Sequence, residues 1–131
     1  MRVVIVEDSR LARLELCEQL SQLPDVTLVG QADTVENATA LINDLQPDLI
    51  LLDIDLPGGT GFDLLEQLEV LPKVVFTTAF DEYAVRSFEV DALDYLLKPI
   101  TLPRLTKALA KAEAQLAAQE AVTSESRLHG D

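Results

Sequence analysis

The chain has 131 residues, 48% of them hydrophobic, which suits one compact domain with its own core. Its formal net charge of −13 sets it against nucleic-acid phosphates and anionic membranes, so this segment is expected to bind neither directly. The single cysteine, Cys17, excludes an internal disulfide framework and fits a reducing cytoplasm, and no apolar run approaches a membrane span or a secretory signal.

The chain opens with a short buried strand, Val3 to Val6, followed at once by Glu7 and Asp8. Ser9 is placed to cap a helix reaching about Leu23, with Leu11, Leu14 and Leu20 on its apolar face. Val26 to Ala32 reads as a second strand, and Thr34 can cap a helix carrying Val35, Ala38, Leu41, Ile42 and Leu45. Pro47 stops that helix and introduces a third strand, Leu49 to Asp53, apolar until its terminal carboxylate. Gly58, Gly59 and Gly61 then reverse the chain before a helix from Phe62 to Leu68, which Pro72 punctuates. Val74 to Thr77 is a fourth strand, Glu82 to Phe88 a short helix and Tyr95 to Leu97 a fifth strand. Leu102, Leu105, Leu109, Ala112 and Leu116 share one face of a last helix. Beyond about Ala121 the composition turns polar, so residues 1–118 are expected to form the domain and 119–131 a polar tail or linker toward an absent output domain.

Strand and helix thus alternate five times, which predicts an α/β fold: a doubly wound parallel sheet with helices on both faces. Right-handed crossovers bring every strand's carboxyl end to one edge, where open α/β sheets bind ligands. Glu7, Asp8, Asp53, Thr77, Thr78 and Lys98 all fall at such ends. Packed carboxylates resist ionisation unless a cation compensates them. Mg²⁺ suits the set, with Asp8 and Asp53 as direct ligands, Glu7 direct or through water, and the Asp55 backbone carbonyl as a further donor. Asp53 can hold the metal, act as a carboxylate nucleophile toward phosphorus, or do both in turn. Lys98 offers an ammonium and a threonine hydroxyl a hydrogen bond to a phosphoryl group.

Val6-Glu7-Asp8, the apolar strand ending in Asp53, Thr78-Ala79 and Tyr95-Leu96-Leu97-Lys98-Pro99 together resemble the receiver domain of two-component response regulators, over about residues 1 to 118. The resemblance implies a flavodoxin-like (βα)5 fold with strand order 2-1-3-4-5, the class to which the strand-end binding rule already applies. It implies Mg²⁺-dependent phosphorylation of Asp53 by a sensor histidine kinase, and a cis bond before Pro99 that orients Lys98. It selects Thr78, followed by Ala79, as the switch hydroxyl and Tyr95 as the switch aromatic. Glu7 departs mildly from the family, where Asp-Asp is the commoner acidic pair.

By the same resemblance the fourth helix, fifth strand and fifth helix form the face that responds to phosphorylation. Arg104, Lys107 and Lys111 make a basic stripe there and Glu89, Asp91 and Asp94 supply acids, so a homodimer on phosphorylation is expected to set stripe against acids. The run from Phe76 to Ile100, with Ala92-Leu93-Asp94-Tyr95-Leu96-Leu97-Lys98-Pro99-Ile100, is similar to receivers of LytTR-type transcription regulators, which carry a DNA-binding domain after the receiver. A stand-alone receiver acting by protein contact is the alternative. Asp53-Ile54-Asp55 also superficially resembles the nucleophile motif of haloacid-dehalogenase-type phosphatases, but it lies on the third strand rather than the first, and Pro57 with two glycines alters the spacing. The chain is therefore expected to act on its own Asp53 and not to turn over substrate.

Overall fold

The computed structural model describes residues 1–80 and 91–129, with side chains through 120. In chain order they form β1 (Arg2–Val6), α1 (Arg10–Ser21), β2 (Thr27–Ala32), α2 (Val35–Leu45), β3 (Leu49–Asp53), β4 (Asp55–Leu56), β5 (Gly59–Thr60), α3 (Gly61–Glu66), β6 (Lys73–Thr78), β7 (Asp94–Leu97) and α4 (Leu102–His129). The long strands run parallel in the order β2-β1-β3-β6-β7, so the doubly wound flavodoxin-like order 2-1-3-4-5 is present, with β6 and β7 as its fourth and fifth strands.

The two innermost apolar runs explain the architecture. Val3 to Val6 and Leu49 to Leu52 are buried on both faces and feed two cores by simple alternation. Val4, Val6, Ile50, Leu52 and Phe76 pack with Ala38 and Ile42 of α2 and Phe62 and Leu64 of α3. Val3, Ile5, Leu49, Leu51, Val75 and Leu96 pack with Leu16 and Leu20 of α1 and Leu105 and Leu109 of α4. Each fully buried Leu, Ile or Phe contributes about 1.5–3 kcal/mol, far more than any surface ion pair, so these strands hold the edge rigid.

The expected caps are in place. The Ser9 side chain accepts the Ala12 N–H at 3.3 Å, and Thr34 accepts the Asn37 N–H at 3.0 Å. An unforeseen cap joins them: Thr60 and Asp63 form a reciprocal capping box that starts α3. Between β3 and α3 the chain makes a small antiparallel hairpin, β4 with β5, that the sequence reading treated as a turn. Pro57 followed by Gly58 at φ +91° supplies the backbone that a type II turn needs.

One expectation is corrected and another bounded. Leu11 and Leu14 are exposed, not on the buried face of α1. At about 100° per residue they lie across the helix from Leu16, which together with Leu20 makes the inward stripe. The last helix runs on through the polar stretch, with α4 continuing as helix to His129. The short helix expected over Glu82 to Phe88 lies outside the described residues.

Candidate functional site

Parallel pairing fixes the relative heights of the strand ends. The Glu7 N–H, just past β1, donates to the Ala32 carbonyl at 3.0 Å. Asp53, the last residue of β3, sits opposite Thr77 in register. Lys98 follows β7 directly, and its N–H donates to the Thr78 carbonyl at 2.7 Å. Gly61 lets α3 begin close beneath this edge, since a Cβ there would lie 2.8 Å from the Asp53 carbonyl oxygen.

Glu7, Asp8 and Asp53 come together, with one carboxylate oxygen of each within 4.8 Å of the others. Glu7 is fully buried, Asp53 nearly so, and Asp8 exposed. The Lys98 ammonium lies between the two buried acids, donating to Glu7 Oε1 and, at 3.2 Å, to Asp53 Oδ2. The second oxygen of Glu7 accepts the Ser9 N–H at 3.0 Å. The Lys98–Pro99 peptide bond is cis.

Among the described residues, one ammonium faces three carboxylates, which leaves the cluster short of positive charge. Burial and the neighbouring Glu7 carboxylate push Asp53 up to about 7. Burial also pushes up Asp8, reinforced by Glu7. Burial would raise Glu7 too, but its hydrogen bonds with Lys98, Asp53 and the Ser9 backbone together outweigh that and hold it below the usual carboxylate range. Lys98 is pulled down by burial, yet Glu7 and Asp53 hold it above the ordinary lysine value. Three hard oxygen donors with this deficit fit a small divalent cation.

The remaining predicted residues surround this centre. Thr78 is fully buried, and its Oγ1 accepts the Phe80 N–H at 3.1 Å. The Tyr95 hydroxyl donates to the Phe80 carbonyl, so one residue joins the two. Thr77 Oγ1 is buried without a hydrogen-bond partner. Asp55 has an exposed side chain at the start of β4. On the far side of the sheet edge, Arg104 grips Asp94 through two hydrogen bonds of 2.7 and 2.9 Å, and Lys111 reaches it at 3.2 Å. Two members of the expected basic stripe are therefore paired within the chain.

Two α1 side chains escaped the sequence reading. Arg13 donates to the Glu7 carbonyl at 2.8 Å, and Gln19 Nε2 to the Ile100 carbonyl at 2.9 Å. The signal available was helical phase alone: counted from Leu16, both fall toward the strand ends rather than toward solvent.

Comparison with known proteins follows this geometry. The family model for the response regulator receiver domain matches residues 3–110. The sensory transduction protein LytT of Enterococcus faecalis is 45% identical over 119 residues, covering 88% of this chain and 49% of that protein. LytT of Bacillus subtilis is 44% identical over 114 residues, covering 85% and 47%. The chain thus spans about half the length of these relatives. Among solved structures, the response regulatory domain of protein mrkE from Klebsiella pneumoniae superposes with a TM-score of 0.80 at 35% identity, covering 88% of this chain and 97% of that one. The REC domain of AraT from Geobacillus stearothermophilus gives 0.81 at 26% identity, covering 91% and 97%.

Proposed function

The chain belongs to the response regulator receiver family of two-component signal transduction, is LytT-like and is not a conventional enzyme, and from that premise we propose that Asp53 is its phosphoacceptor. The observation that carries this reading is the Lys98 ammonium set between Glu7 and Asp53, within a trio of carboxylates at the carboxyl edge.

A sensor histidine kinase is the phosphodonor. An Asp53 carboxylate oxygen attacks the phosphorus of a phosphohistidine, an O–P bond forms, and the P–N bond breaks. Its electron pair returns to the imidazole, which takes a proton from solvent. Glu7, Asp8, Asp53 and the backbone carbonyl of Asp55 are the residues that would hold Mg²⁺. When bound, that ion neutralises charge on the phosphoryl oxygens. Lys98 adds its ammonium to the same charge, and burial of Glu7 and Asp53 keeps the ion pair out of bulk water.

Thr78 and Tyr95 then form the switch. A phosphoryl group on Asp53 adds strong acceptor oxygens that compete for the Thr78 hydroxyl. Moving that hydroxyl withdraws the acceptor now used by the Phe80 N–H, and Phe80 is the residue whose carbonyl receives the Tyr95 hydroxyl. The change reaches the face of β7 and α4. A phosphorylated homodimer on this face must exchange the Asp94 pairs with Arg104 and Lys111 between chains, or rely on Lys107.

Residues 1–118 are the receiver in this reading, 119–131 lead toward an output segment, and the longer protein is cytoplasmic with a LytTR-type DNA-binding output. The relatives' doubled length supports that extension. Among the described residues no helix is long and apolar enough to cross a membrane.

Intact-mass spectrometry after incubation with acetyl phosphate tests the phosphoacceptor. One added phosphoryl group is expected on the wild type with Mg²⁺, and none without Mg²⁺ or on Asp53→Ala. Uptake by Asp53→Ala, or none by wild type, overturns the reading.

A further inference from the structure

Two of the segments that supply the site are tethered from one side, by α1. Arg13 donates to the Glu7 carbonyl at 2.8 Å and its same nitrogen reaches the Asp8 carbonyl at 3.4 Å. The loop bearing both acids is thus held by its backbone. One turn and a half further along, Gln19 Nε2 holds the Ile100 carbonyl at 2.9 Å, two residues beyond Lys98. A cavity of about 70 Å³ lies between these groups, lined by Glu7, Gln19, Lys98 and Ile100 among others. Repacking around Lys98 therefore has room.

Stability alone does not explain Gln19. Its Oε1 is buried with no hydrogen-bond partner, so the amide makes one bond and leaves one acceptor unmet. An apolar side chain of similar length loses the bond but also removes the unmet acceptor, a near-even exchange for folding. The bond to Ile100 matters for where it holds the chain.

Resting on the phosphoacceptor reading above, we infer that Arg13 and Gln19 are positioning residues with separate duties: Arg13 sets the metal-binding loop, and Gln19 sets Lys98. Neither touches the reacting atoms. Both act as outer-layer partners do at metal and catalytic centres, by fixing the groups that make contact.

The separation gives each residue its own signature. Mg²⁺ affinity of the unphosphorylated chain is read by calorimetry, uptake from acetyl phosphate at saturating Mg²⁺ by intact mass, and Lys98 accessibility by amine acylation with an N-hydroxysuccinimide ester. Arg13→Met is expected to weaken Mg²⁺ binding about tenfold while uptake at saturation stays within about twofold of wild type, and Arg13→Lys to recover part of the affinity. Gln19→Met is expected to keep Mg²⁺ affinity within about twofold, slow uptake about tenfold and speed acylation of Lys98. Thermal melts establish that each variant is folded. Equal losses in every readout for both variants, or no change in any, overturn the inference. If wild type takes up no phosphoryl group, the phosphoacceptor reading falls, and the calorimetry and acylation results still decide the two tethers.

Discussion

Two ion clusters sit on either side of the last strand, and they are built to opposite ratios. Among the described residues, Glu7, Asp8 and Asp53 face the single ammonium of Lys98 at the carboxyl edge. On the flank, again among the described residues, Asp94 faces Arg104 and Lys111. Both Asp53 and Asp94 are largely buried, and burial by itself raises each. At Asp53 the Glu7 carboxylate adds to that push, and the group rises to about 7. At Asp94 the hydrogen bonds from Arg104, the Tyr95 backbone and Lys111 together overturn it, and the group falls to about 2. The count of opposing charges, more than depth, decides the sign. The first cluster is unbalanced and disposed to take up a cation. The second is settled within the fold.

The largest way to break this contrast is to remove the one ammonium. Lys98→Met leaves the fully buried Glu7 beside Asp53 uncompensated and is expected to cost about 3–5 kcal/mol in urea unfolding, with Mg²⁺ recovering part of it. An unchanged midpoint would show that Lys98 is not what compensates the acids.

The opposite manipulation relieves the crowding. A carboxyl whose folded pKa lies above its unfolded value binds its proton more tightly in the native state, so its contribution falls as pH rises between about 4 and 7. Metal-free Asp53→Asn is expected to be more stable than wild type at pH 8 by on the order of 1–3 kcal/mol, and no more stable near pH 4. Denaturant melts at the two pH values check the sign, and Mg²⁺ should narrow the gap.

Asp94 gives the reverse dependence. Its folded pKa lies below the unfolded one, so its stabilisation is complete above about pH 4 and is lost as pH falls through about 2. Because Arg104 and Lys111 are part-exposed, solvent screening limits the effect of Asp94→Asn to about 1 kcal/mol at pH 6. The difference from wild type should shrink toward pH 2 in the same melts; a difference that persists there would belong to packing. Smallest is Arg104→Lys, which keeps the charge but loses the fork on both Asp94 oxygens, for a few tenths of a kcal/mol. A loss as large as that of Asp94→Asn would mean the fork itself, and not the charge, holds β7.

The two clusters were also unequally legible. Each member of the first follows an apolar run in the chain, so strand ends and the parallel rule bring Glu7, Asp8, Asp53 and Lys98 to one edge without coordinates. In the second, the same sequence reading assigned Arg104, Lys107 and Lys111 to an interface between chains. It could not see that a helix packed against the edge strand puts Arg104 within reach of Asp94. Helical phase misled it similarly at Leu11 and Leu14, where leucines spaced by three suggested burial that Leu16 and Leu20 in fact make. The Thr60–Asp63 capping box, by contrast, is legible in the Thr-x-x-Asp spacing alone.

By itself, then, the sequence determined the doubly wound α/β fold, the caps at Ser9 and Thr34 and the gathering of acids with Lys98. These depend on local patterning and on a connection rule that leaves little choice of topology. Only the tertiary structure decided which charge answers which: Lys98 shared between Glu7 and Asp53, Arg104 closed on Asp94, and Arg13 and Gln19 turned onto backbone carbonyls. Electrostatic partnership depends on distance and burial between groups far apart in the chain, and no one-dimensional pattern carries either quantity.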